Sequence, residues 1–86
     1  MPVAKDPEWL DPRVRVRLHQ LDAHFEEPEP GDAIHTTEIA EMFGISAQSA
    51  RRTGERFAET RDGFVWEGPE NAYQKRVRYA RGDADA

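Results

Sequence analysis

Apolar residues recur at helical spacing through the first two thirds of the chain and at strand spacing in the last third. Val14, Leu18, Leu21 and Phe25 fall at i, i+4, i+7 and i+11, one stripe of an amphipathic helix. Asp11 and Pro12 precede the stripe as an N-cap and a first helical residue. The same Asp-Pro signal at Asp6 and Pro7 predicts a short turn ahead of it. Val16 lies off the stripe and is expected to be half-exposed or to cover an edge. Two prolines and a glycine in "EEPEPGD", residues 26–32, require a loop, and "AIH" after it has room only for a strand fragment. Thr36 or Thr37 is expected to cap a second helix that buries Ile39, Ala40, Met42 and Phe43. Gly44 suits a helix C-cap of positive φ, where a residue without Cβ is not strained. Ile45 then plugs the core and Ser46 caps a third helix, about 47–59, with Ala50, Gly54 and Phe57 turned inward. Gly54 in a helix interior costs roughly 1 kcal/mol relative to alanine. The space it leaves is expected to be filled by Trp9 or Trp66, the alternative being a mobile C-terminal half of that helix.

Beyond residue 62 the period becomes two. Phe64 and Trp66 share one face of a strand, Val77 and Tyr79 share a face of another, and Arg76 and Arg78 point the opposite way. "GPENA" between them is turn chemistry, so a β-hairpin is predicted. The chain divides into an N-terminal extension (1–10), a folded domain (11–80) and a flexible tail (81–86). The fold class is mainly α with a small β-hairpin.

Eighty-six residues support one thin core. The formal net charge is −5, which argues against strong indiscriminate binding to nucleic acid. The charge is uneven. Residues 1–44 hold four Lys/Arg against ten Asp/Glu, a net of −6; residues 45–81 hold eight against five, a net of +3; residues 82–86 add −2. One basic face is the expectation. Cysteine is absent, so there is no disulfide framework and no thiolate metal site. No run approaches the roughly 20 apolar residues of a membrane span, and a cytoplasmic location is expected.

The stretch "TTEIAEMFGISAQSARR", residues 36–52, resembles the helix-turn-helix of winged-helix DNA-binding domains. Ala40 lets two helices approach, Gly44 makes the turn, and Ile45-Ser46 opens the second helix. The order of elements over about residues 11–80 is similar to that of MarR-like regulators and of phage and archaeal repressors. Excisionase and mercury-regulator-like domains share the phrase, but the amphipathic helix in front favours the winged version. The resemblance implies a three-helix bundle with a two- to three-stranded wing, and a recognition helix, about 46–59, that enters the major groove by its N-terminal half. Ser46, Ala47, Gln48, Ser49, Arg51 and Arg52 are then the outward residues. Gln48 suits adenine and an arginine suits guanine, while Ser46, Ser49 and the free N–H groups of the helix start suit phosphate. Arg56 and Arg61 are expected at flanking phosphates. The wing is the loop 68–75, with Lys75, Arg76 and Arg78 toward phosphate and Glu67 and Glu70 opposing it. With the first helix packed behind the recognition helix, acidic and basic halves should lie on opposite faces, and Arg13 should matter little.

The expected partner is double-stranded DNA, bound as a small repressor-like regulator. The alternative is a winged-helix docking module of a polymerase or recombinase assembly. Trp9, Leu10 and Val16 offer an apolar surface for a homodimer or a larger protein partner. No enzyme, cofactor or metal is expected. His19 and His24 are five apart on one helix, not the i, i+4 of a metal pair, and no phosphate-cradling glycine loop is present.

Overall fold

The computed structural model describes residues 10–69 and 75–81. Six elements follow one another: α1 (Pro12–His24), β1 (Ala33–His35), α2 (Thr36–Phe43), α3 (Ala47–Thr60), β2 (Phe64–Glu67) and β3 (Arg76–Tyr79). The strands form one antiparallel sheet in the order β1-β3-β2. Three helices with a small three-stranded sheet are compatible with a winged-helix layout.

Local chemistry sets the helix ends. The Asp11 carboxylate accepts the Arg13 N–H at 2.8 Å and Pro12 follows it, as expected of an N-cap. Gly44 ends α2 at φ 63° and ψ 42°, and the Ile45 N–H reaches back to the Ala40 carbonyl at 3.0 Å. The start of α2 differs from expectation. Neither threonine caps it; the N-cap is His35, whose N–H is accepted by the Glu38 carboxylate at 3.1 Å. That hydrogen bond holds the Glu38 carboxyl below its ordinary range against the opposing effect of burial. Thr36 is instead fully buried, and its hydroxyl donates to the Lys75 carbonyl at 2.9 Å. Because β1 runs directly into α2, this threonine ties the start of the helix to the strand beside it.

The core lies between the helices and one face of the sheet. Val14, Leu18 and Leu21 of α1, Phe25 beyond it, Ile39 of α2, Ala50 and Phe57 of α3, Ile34 and Val77 are all buried. Each large aliphatic or aromatic side chain so placed contributes about 1.5–3 kcal/mol. Leu10 joins them at 4% exposure, so it belongs to the core and not to a surface for a partner. Met42, expected inside, is 45% exposed, because Ile39 takes the core position of the short α2 and Met42 falls at the helix margin facing Val16 across a groove. Phe64 pairs with Tyr79 and Trp66 with Val77 across the hairpin, so the alternation read from sequence is the core-facing side. Phe64 meets Phe25 and Phe57 edge to face at ring separations of 5.0 and 4.8 Å, and Phe25 stacks on Phe57 at 5.8 Å.

Trp66 fills the place that Gly54 leaves: a Cβ there would lie 2.4 Å from the tryptophan Cζ3. A residue without a side chain is thus what lets α3 approach the sheet. Residues 1–9, with Trp9 and the turn expected at Asp6, lie outside the described residues, as do 70–74 of the hairpin loop and the tail from 82.

Candidate nucleic-acid interface

The turn at Gly44 presents the N-terminus of α3. Ser46 caps it, its hydroxyl accepting the Ser49 N–H at 3.1 Å. The N–H groups of Ala47 and Gln48, in the first turn, have no partner within the helix. The Ser46 hydroxyl also donates to the Ser49 hydroxyl at 3.1 Å. Ser49, an acceptor there, keeps its own hydroxyl hydrogen for an outside oxygen. Gln48 and Arg52 are exposed, whereas Ala47, Ser49 and Arg51 are half-buried along the flank of the helix. The fold brings the residues expected to point outward together at the start of α3, with Ser46, Gln48 and Arg52 the exposed ones.

The arginines beyond that turn are placed differently from expectation. Arg61 is 5% exposed, and its guanidinium donates to both carboxylate oxygens of Asp22 at 2.9 and 2.7 Å. It also lies over the Phe57 ring, 5.5 Å from the centroid. This residue clamps the end of α3 to α1 and does not reach a flanking phosphate. Arg76 and Arg78 do lie on the sheet face opposite Val77, but both donate to Glu67, at 2.9 and 3.0 Å. The register explains why: Glu67 is directly across from Arg76 and diagonal to Arg78. Burial pushes the Glu67 carboxyl up, yet the hydrogen bonds and charges of Arg78 and Arg76 outweigh it and hold the group below its ordinary value. The trio carries a net charge of +1, so the hairpin offers phosphate less than two arginines imply. Arg56 is paired with Glu59 at 2.8 Å and Arg51 lies 3.7 Å from Glu55. Lys75, at the hairpin, lies 5.9 Å from the centre of the Trp66 ring.

Two residues outside the expected set stand beside the first turn of α3. Arg13 and Arg17 of α1 line a cleft with Asp11, Val14, Ser49 and Arg52. Contrary to expectation, the packing of α1 is not simply behind α3: its N-terminal turn abuts the N-terminal turn of α3 and places Arg13 beside it. Sequence carried half of this signal. Arg13 and Arg17 are i, i+4 and must share a face, but which helix end that face meets is a matter of packing.

Among the described residues no group of three or more His, Asp or Glu is placed to hold a metal ion, and no helix is long and apolar enough to cross a membrane. Neither family models, nor curated proteins, nor solved structures give a match to this chain.

Proposed function

We propose that the chain is a winged helix-turn-helix domain that binds duplex DNA sequence-specifically, as a small repressor-like transcriptional regulator of the cytoplasm. The observation that carries this reading is the exposure of Gln48 and Arg52 on the first turns of α3, immediately after the left-handed Gly44 turn. A short polar side chain at the cap, an amide and arginines on one exposed helix start match what a major groove requires: bidentate donors and acceptors for base edges, and unpaired N–H groups for phosphate. Fluorescence anisotropy with random duplex DNA across a salt series tests it. A log–log slope of roughly −4 or steeper is expected, from several neutralised phosphates. On a site selected from a random pool, Gln48→Ala or Arg51→Ala should cost about 1–3 kcal/mol and relax preference at one base pair. Arg52→Ala should weaken all sequences alike.

A second reading, a winged-helix docking module within a nucleoprotein assembly, is favoured by one feature. Val16 and Met42, 58% and 45% exposed, line an open groove between α1 and α2 with Phe43 and Ile45. Flat, negligible DNA binding would select it.

A further inference from the structure

The arginines divide by what already holds them. Arg61 is buried on Asp22, Arg76 and Arg78 share Glu67, and Arg56 meets Glu59. Arg17 and Arg52 form no ion pair with a described residue. Arg13 meets Asp11 at 3.4 Å with its own side chain 84% exposed, a contact of little strength. These three arginines line the same cleft of about 110 Å³, whose wall is completed by Asp11, Val14 and Ser49. At roughly 30 Å³ per water, that is the room of a few waters, enough for a tetrahedral oxyanion.

We infer that this cleft is a phosphate-binding site, and that α1 rather than the hairpin supplies the main backbone clamp on nucleic acid. Three guanidinium groups and one carboxylate give the cleft a net charge of +2, against +1 for the Glu67 cluster. One oxygen of the carboxylate, Oδ1, accepts the Arg13 N–H as the cap of α1, and the other accepts from the Arg13 guanidinium at 3.4 Å, so the carboxylate offsets one of the three cations. Guanidinium forks match phosphate oxygens in pairs, and the free hydroxyl hydrogen of Ser49 adds a neutral donor at the wall. A phosphodiester held here lies against the first turn of α3, so it would belong to the strand bordering the groove that this helix reads. The inference rests on the DNA reading for its ligand, but the cleft's affinity for a phosphate oxyanion can be measured apart from it.

The experiment compares Arg13→Gln/Arg17→Gln with Arg76→Gln/Arg78→Gln and the wild type, each checked for folding by thermal melting. Anisotropy on selected and random duplexes is measured over a salt series. The α1 variant should make the log–log slope shallower by about one and weaken both duplexes about fivefold at about 0.15 M salt, at about 0.9 of slope per phosphate. The hairpin variant should change the slope by less than about half as much. An α1 variant that folds and binds like wild type, or a hairpin variant with the larger loss, overturns the assignment. If the wild type binds no duplex, the DNA reading fails, and titration with inorganic phosphate followed by NMR decides the cleft alone. Saturable shifts at Ser49 and in the first turn of α1, lost in Arg17→Gln, retain the phosphate site; their absence removes it.

Discussion

Gly54→Ala should destabilise this domain, although alanine is the better helix former. In an exposed helix interior the exchange gains about 1 kcal/mol. Here the new methyl carbon would lie 2.4 Å from Trp66 Cζ3 and 3.1 Å from Cη2. Carbon atoms ordinarily approach to about 3.5–4.0 Å, so the indole must move by about 1 Å or more. Its freedom is limited, because β2 is paired with β3 and Trp66 stands opposite the fully buried Val77. Overpacking of this kind costs about 1–3 kcal/mol. Set against the helix gain, the net is a loss of about 0–2 kcal/mol, or a fall in Tm of several degrees for a domain of this size. The sharper measurement is a double-mutant cycle by urea denaturation. Trp66→Val lowers stability by lost burial, but it also removes the obstruction. In that background Gly54→Ala should stabilise by up to about 1 kcal/mol, so the two changes should couple by about 1–3 kcal/mol. A wild type stabilised by Gly54→Ala, or an equal effect in both backgrounds, would refute the view that this glycine exists to seat the tryptophan.

Two further predictions concern the paired arginines. Asp22→Ala leaves the Arg61 guanidinium buried without its carboxylate, and denaturation should show a loss of roughly 3 kcal/mol; the double change Asp22→Leu/Arg61→Met should recover much of it. Glu67→Gln should free Arg76 and Arg78, raising affinity for random duplex DNA and steepening its salt slope. The same substitution has a pH signature. The folded Glu67 carboxyl lies below its ordinary value of 4.5, so its contribution is present above that pH and is lost as pH falls through the folded value. Wild type should therefore lose more stability than Glu67→Gln between pH 5 and pH 3, by about as much as one partly exposed contact allows; parallel acid titrations would count against the pairing.

Much of the fold could be read from the residues because its causes are local. An aspartate before a proline begins α1 at Pro12, a glycine of positive φ ends α2, a serine begins α3, and alternation sets the inward faces of β2 and β3. Each of these signals acts over one turn or one pleat, so neighbouring residues suffice to determine it. The expectation that Trp9 or Trp66 would occupy the space at Gly54 reached further, because a hole in a helix must be filled by some large side chain nearby in space; that it is Trp66 was decided by packing. Charge was harder. That Arg13 and Arg17 share a face, that Gln48 and Arg52 point outward, and that residues 45–81 are basic are all properties of the sequence itself. Whether an arginine is available to a ligand depends on which carboxylate folding brings to it. Asp22 meets Arg61 from 39 residues away, and Glu67 meets Arg76 and Arg78 only because the hairpin register puts it opposite them. Nor could spacing say that Leu10 is covered and Met42 is not, since periodicity gives the direction of a helix face and not the width of what packs on it. The sequence alone determined where the helices start and stop and which residues turn inward. The tertiary structure decided which cations are held by internal carboxylates and which stand together beside the first turn of α3, because ion pairing, unlike capping, is set by distance in space.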